Sequence, residues 1–125
     1  MAKKIITSDK LPVFGPYSTA VETNGLIFIS GQIPVNLQTG EIINEIRTAA
    51  KQVLANIQTI LQEAGLEMTN IVKTTIFLKN MEDFPAVNEI YAGFFPEGPP
   101  ARSTVEVSAL PKNAPLEIEA IAIRN

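Results

Sequence analysis

Apolar residues recur at helical spacing in two stretches of the chain, 47–64 and 82–95. Asn44 is placed to cap the start of the first helix, and Gly65 is placed to end it. Proline and glycine residues directly after position 95 end the second. The apolar stripe of the first helix consists of Ala49, Ala50, Val53, Leu54, Ile57, Ile60, Leu61 and Ala64.

Shorter apolar or alternating stretches predict six strands, and Asn24-Gly25 between the second and third predicts a tight hairpin. This order favours an α+β fold with two helices on one face of a mainly antiparallel sheet. The other face then carries Phe77, Ile121 and Ile123. We expect a second copy of the chain to cover it, although loops are the alternative. The predicted strands are 3–7, 19–23, 26–34, 71–78, 102–107 and 116–123.

Length and charge narrow the class of protein. The 125 residues fit one domain, 1–125. The net charge of −3 lacks the basic footprint of a nucleic-acid binder. We find neither a signal-peptide pattern nor an apolar run of the roughly 20 residues that cross a bilayer, so we expect a cytoplasmic protein without membrane contact.

The residue types that are missing restrict the chemistry further. The chain has no histidine and no cysteine, which excludes a thiolate nucleophile, an imidazole base and the usual zinc ligands. Acid–base chemistry must then use carboxylates, lysine, tyrosine, hydroxyls or water. A carboxylate-only magnesium or calcium site remains possible, but no clustered acidic loop supports one, and we predict no metal.

Two predicted strands carry candidate groups. Arg102 and Thr104 point to one face of a strand that follows a rigid proline pair, where a guanidinium can present its planar fork to a carboxylate. A surface arginine or a structural Arg–Glu pair is the alternative. Glu117 and Glu119 share a face of the last strand, where a carboxylate can hold and polarise a water. A solvated strand face is the alternative there.

Three further positions lie at turns or on a polar helix side. Residues 15–18 form a rigid turn that presents Tyr17. Ser30 and Gly31 end a strand, and the glycine permits a ligand to approach the backbone. Asn88 lies on the polar side of the second helix. Ordinary turn chemistry and an exposed amide are the alternatives.

Taken together, these motifs resemble the Rid family, also called YjgF, and within it the RidA-type 2-iminobutanoate/2-iminopropanoate deaminases. The resemblance covers essentially the whole chain in order. It is carried by Gly15-Pro16-Tyr17-Ser18, Ser30-Gly31-Gln32-Ile33-Pro34, Val87-Asn88-Glu89-Ile90-Tyr91, Pro100-Ala101-Arg102-Ser103, and Leu110-Pro111-Lys112 with Ile118-Glu119-Ala120.

The resemblance implies a fold like that of the small bacterial chorismate mutases, assembled as a homotrimer with sites between neighbouring subunits. It implies an enzyme that hydrolyses 2-imino and 2-enamino acids to 2-oxo acids and ammonia without a cofactor. Arg102 matches the family's carboxylate-binding arginine, and Glu117 matches the acid that positions water. Thr104 stands where many members have cysteine. The positions that match pocket-lining residues are Tyr17, Ser30, Gly31 and Asn88.

Three other functions compete with this interpretation. A non-catalytic regulatory protein could bind a small ligand in the same pocket. An RNA-directed activity, such as translation inhibition or ribonuclease action, would predict salt-sensitive RNA binding. A chaperone-like protein would need an exposed apolar surface rather than Arg102.

Overall fold

The computed structural model describes residues 2–125, so Met1, the first residue of the predicted domain, lies outside the described residues. Three short 3-10 turns accompany the regular elements. None of the helices in the described residues is long and apolar enough to cross a membrane. The strands are β1 (Lys4–Ile6), β2 (Ala20–Thr23), β3 (Leu26–Gln32), β4 (Ile71–Leu78), β5 (Ala101–Glu106) and β6 (Leu116–Ile123), and the helices are α1 (Ile46–Glu63) and α2 (Phe84–Phe94).

The six strands form one sheet in the order β1-β2-β3-β6-β4-β5. Only the β4–β5 pair is parallel, and its two strands are joined through α2. The prediction of a mainly antiparallel six-stranded sheet is therefore confirmed. Strand β5 lies at an edge of the sheet, which leaves one side of its backbone without a partner strand.

Both helices pack on the same face of the sheet, as predicted. Strand β6 shows the alternation that makes this possible, because Leu116, Ile118, Ala120 and Ala122 are buried in the core while the residues between them face away. Burial of each large apolar side chain contributes roughly 1.5–3 kcal/mol. The helix α1 supplies Ala49, Ala50, Val53, Leu54, Ile57, Ile60 and Leu61 to this core.

The predicted residue at the end of α1 is confirmed, whereas the predicted residue at its start is not. The prediction of Asn44 as the capping residue is wrong, because Glu45 occupies that position. The Glu45 carboxylate accepts backbone N–H bonds from Arg47 at 2.9 Å and from Thr48 at 2.8 Å. The hydrogen bond from the Thr48 hydroxyl and, after it, these two backbone bonds lower the pKa of Glu45 to about 2. Gly65, with a φ of 74°, follows the helix as predicted.

The sheet face opposite the helices is apolar and open. Ile5, Val21, Phe28 and Ile121 are successive cross-strand partners along one row of this face. Ile5 is 54% exposed and Phe28 is 42% exposed, so the loops of the described residues do not cover the face. Its coverage by a second copy stays a prediction. The predicted outward residues also lie on it: Phe77, Ile121 and Ile123.

Candidate active site

Six of the seven predicted site residues of one chain line two separate cavities. The first has a volume of about 480 Å³ and is lined by Tyr17, Ser30, Gly31 and Glu117. The second, of about 340 Å³, lies between α2 and β5 and is lined by Asn88 and Arg102. Thr104 is the one predicted site residue that lines neither cavity. One chain therefore does not place Arg102 and Glu117 in a common cavity.

An irregularity in β3 lies at the wall of the first cavity. The pairing of β3 with β6 shifts register between Ile29 and Gln32, so the regular ladder ends earlier than the predicted strand 26–34. The Ser30 hydroxyl donates a hydrogen bond to the Ser18 carbonyl at 2.6 Å and fixes the loop that carries Tyr17. The Tyr17 hydroxyl in turn accepts the Phe14 backbone N–H at 3.1 Å.

Gly31 leaves the space that the side chain of Glu117 occupies. A Cβ atom at this position would lie 1.9 Å from Oε2 of Glu117 and 2.7 Å from its Cδ. The expectation that Gly31 also lets a ligand approach the backbone stays a prediction, and Gly31 does line the cavity. The missing side chain makes room for the carboxyl group of Glu117, which lies across β3 into the cavity.

The Glu117 carboxyl group is suited to proton transfer. Partial burial raises its pKa above the ordinary value, and the negative charge of Glu119 raises it further. Within residues 2–125, no lysine or arginine forms an ion pair with Glu117 to oppose these effects. Glu119 lines the same cavity. A carboxyl group whose pKa is raised toward neutrality exchanges protons with substrate and water more readily than an ordinary one.

Arg102 is held by aromatic rings in the second cavity. Its guanidinium carbon lies 4.9 Å from the ring centroid of Tyr91 and 5.5 Å from that of Phe84, and both rings belong to α2. No carboxylate of the described residues forms an ion pair with Arg102. The alternative of a structural Arg–Glu pair is therefore wrong within this chain. The guanidinium keeps its N–H groups for an external acceptor.

Among the described residues, two buried polar atoms on α2 and β5 also lack hydrogen-bond partners. They are Oδ1 of Asn88 and Oγ1 of Thr104, which lies two residues beyond Arg102 along β5. Asn88 is partly buried, so it is not an ordinary exposed amide. A buried polar atom without a hydrogen bond costs about 1–3 kcal/mol, so both atoms favour a ligand or a neighbouring subunit at this place.

Sequence reasoning did not identify Asn56, which lines the first cavity from α1. Its Nδ2 donates to the Val35 carbonyl at 3.2 Å, and its Oδ1 accepts from Gln52 at 2.7 Å. The sequence signal that could have identified it is the amide side chain of Asn56 among the apolar residues of α1. The described residues contain no group of three acidic side chains that could hold a metal ion.

Known proteins resemble this chain over nearly its whole length. The model of the family described as "Endoribonuclease L-PSP" matches residues 7–124. The chain belongs to this family, the Rid (YjgF) family. It is 46% identical over 127 residues to the 2-iminobutanoate/2-iminopropanoate deaminase of Escherichia coli K12, with 99% of each chain covered.

Several other relatives bear a family name rather than the name of an activity. A RutC family protein of Pyrococcus abyssi is 46% identical over 126 residues, with 99% of each chain covered. The crystal structure of the YjgF gene product of E. coli superimposes with a TM-score of 0.93 at 45% identity, covering 98% of this chain and 99% of that one. The predicted family and fold are thereby confirmed for this Rid-family protein.

Proposed function

We propose that this Rid-family protein hydrolyses 2-imino and 2-enamino acids, such as 2-iminobutanoate and 2-iminopropanoate, to 2-oxo acids and ammonia. The main support is Arg102, a guanidinium held over two rings without a carboxylate partner among residues 2–125. Such a group suits the α-carboxylate that these substrates share. The E. coli relative named for this activity adds support.

The proposal includes a homotrimer in which Arg102 of one subunit meets Glu117 of its neighbour. Each cavity of a single chain holds half of the necessary chemistry, a cation in one and a carboxyl group in the other. The apolar sheet face and the unpartnered oxygens of Asn88 and Thr104 are surfaces that a neighbouring subunit can satisfy.

In the proposed mechanism, Arg102 first fixes the substrate by its carboxylate. Two parallel N–H···O bonds orient the substrate plane, and each charge-assisted bond contributes roughly 1.5–3 kcal/mol. An enamine substrate first tautomerises to the imine, and C2 of the imine is then held against a water molecule bound by Glu117. Positioning is a large part of the catalysis, because protonated imines are already good electrophiles.

Glu117 then moves protons between water and nitrogen. Its carboxylate accepts a proton as the water oxygen bonds to C2, and the C=N π electrons pass to nitrogen. The carbinolamine nitrogen receives the proton from Glu117, the C–N bond breaks with its electron pair going to nitrogen, and ammonia leaves. The C2 hydroxyl gives its proton to the Glu117 carboxylate and becomes the carbonyl of the 2-oxo acid. The raised pKa of Glu117 suits a group that both accepts and returns a proton.

The test generates 2-iminobutanoate with threonine dehydratase and traps the remaining imine with semicarbazide. Wild type should suppress the semicarbazone, whereas Arg102→Ala should not and Arg102→Lys should do so poorly, since lysine lacks the fork. Arg47→Ala is the matched control, because Arg47 forms an exposed ion pair with Glu89 and lines neither cavity. Suppression by Arg102→Ala at the wild-type rate would refute the site, and no suppression by wild type would refute the activity.

Ribonuclease action, after which the family model is described, is the second candidate. The acidic chain without histidine offers it little physical support, because RNA binding rests on phosphate neutralisation by cations. Incubation with labelled RNA at low and moderate salt tests it directly. Salt-sensitive binding with cleavage would favour this candidate over the deaminase.

A further inference from the structure

The orientation of Arg102 requires an explanation, because no ion pair within the described residues anchors it. A long side chain loses rotamer freedom when it is held in one geometry, so an unanchored arginine would be a poor preformed carboxylate site. The groups against the guanidinium are instead the rings of Phe84 and Tyr91, at 5.5 and 4.9 Å from its central carbon.

We propose that Phe84 and Tyr91 are positioning residues that hold Arg102 through the faces of their rings and leave its N–H edge free for a substrate carboxylate. The inference rests on the proposed function and deepens it. A cation attracts the electron-rich face of a ring, whereas the hydrogen bonds of a guanidinium lie in its own plane. A carboxylate anchor would occupy those hydrogen bonds and neutralise the charge, and the rings do neither.

The two rings are themselves fixed by α2. Phe84 and Tyr91 are seven residues apart, which places them two helical turns apart on the same side of the helix. The ring of Tyr91 also packs on Phe95, with centroids 4.7 Å apart. The helix thus presents two preformed ring faces to β5.

A hydrogen bond ties Tyr91 to the strand beside Arg102. The hydroxyl groups of Tyr91 and Thr74 are 2.6 Å apart in a buried position. Thr74 in β4 is the register partner of Arg102 in β5. Tyr91 therefore links α2 to the strand beside Arg102, and the hydroxyl bond adds to the ring packing rather than replacing it.

The charge state of Tyr91 fits the same role. Burial raises the pKa of Tyr91, an effect larger than the opposing ones of the Thr74 hydrogen bond and the Arg102 charge. The phenol is therefore neutral near pH 7, and it does not compete with a substrate carboxylate for Arg102.

The test removes each ring and measures binding of 2-oxobutanoate, the product that carries the same carboxylate. Phe84→Leu and Tyr91→Leu should each raise the Kd for 2-oxobutanoate about 2- to 30-fold, and should raise the KM for the imine by a similar factor. Tyr91→Phe keeps the ring and should bind within about 2-fold of wild type, although it loses the bond to Thr74. Phe94→Leu is the control for lost helix packing, since Phe94 makes no cation–π contact with Arg102 in the described residues.

A second measurement is independent of activity. The NMR order parameter of the Arg102 Nε–H bond should fall in both leucine variants and stay high in Tyr91→Phe and Phe94→Leu. The inference would be overturned if Phe84→Leu and Tyr91→Leu both kept the order parameter and the Kd of the wild-type protein. Equal loss in Tyr91→Phe and Tyr91→Leu would also overturn it, because the hydroxyl rather than the ring face would then be responsible.

The two proposals fail in different ways. If wild type hydrolyses the imine and Arg102→Ala does not, while the leucine variants behave as wild type, the positioning role is wrong and the deaminase stands. If wild type does not hydrolyse the imine, the proposed function is wrong. The order parameter of Arg102 then decides the positioning role alone.

Discussion

The contact between Gly31 and Glu117 gives the sharpest prediction about the site. The substitution Gly31→Ala adds one methyl group, and its Cβ would lie 1.9 Å from Oε2 of Glu117. Ordinary contact begins at about 3.4 Å, so the carboxyl oxygen must move by about 1.5 Å. The φ of Gly31 lies outside the left-handed region, so alanine is compatible with the backbone there.

The displacement should affect activity and stability very differently. A misplacement of 1 Å in a catalytic site can cost about 100-fold in rate, so we expect kcat of Gly31→Ala to fall by about that factor. The free energy of unfolding should change by no more than about 1 kcal/mol. Replacing glycine by alanine lowers the conformational entropy of the unfolded chain, which stabilises the folded state by about 0.4–1 kcal/mol. The steric contact costs little stability, because a carboxyl group at a cavity can turn toward solvent.

The assay is imine hydrolysis in a double-mutant cycle with Glu117→Ala. If Gly31→Ala acts through the carboxyl group, it should have no further effect once that group is absent. Gly93→Ala is the matched control, because a Cβ at Gly93 meets nothing within 4 Å. This control should keep full turnover and gain a little stability, since alanine favours helix over glycine.

Two results would refute this reasoning. Full turnover of Gly31→Ala would show that the position of Glu117 does not limit the reaction. An equal loss of rate in the Glu117→Ala background would show that the methyl group acts on something other than the carboxyl group, such as the backbone of β3.

Three further predictions concern stability and assembly. Burial and Glu119 raise the pKa of Glu117 in the folded state, so ionisation of this carboxyl group destabilises the fold. Glu117→Gln should therefore have a higher denaturant midpoint of unfolding than wild type at pH 7. The difference between the two midpoints should vanish as the pH falls below 4.5, the ordinary pKa of the carboxyl group. Glu45 has a folded pKa of about 2, so Glu45→Ala should lower the melting temperature at pH 7, and its deficit should shrink as the pH falls from 4.5 toward 2; a deficit independent of pH would contradict this. Phe28→Asp places a charge on the open sheet face and should shift the sedimentation coefficient from that of the proposed trimer to that of a monomer, with loss of turnover. An unchanged sedimentation coefficient would argue that this face is not the interface.

Local patterns sufficed to predict the elements of this fold. Asn24 and Gly25 adopt φ values of 51° and 79°, which suit the predicted two-residue hairpin turn. Gly65 ends α1 because its left-handed conformation needs no Cβ. The cap of α1 was missed because capping preferences favour the short side chain of Asn44, whereas the longer Glu45 folds back onto the backbone N–H groups one position later.

The contacts that shape the site could not be predicted from such patterns. Gly31 and Glu117 are far apart in the chain and meet only because β3 and β6 are neighbours with a register shift at that point. The rings around Arg102 similarly depend on how α2 crosses the β4–β5 pair. Residue types and resemblance named candidate groups, but only tertiary packing shows that they divide between two cavities.

That division also bears on how Glu117 would be tuned in the proposed assembly. In one chain, burial and Glu119 raise its pKa with no cation opposite. Arg102 of a neighbouring subunit would offset part of this rise in the empty site, which favours the basic carboxylate. A bound substrate carboxylate would offset the Arg102 charge, so the pKa of Glu117 would rise again once substrate is present. The proton taken from water would then be held long enough to be returned to the leaving nitrogen, although the chain contains no histidine.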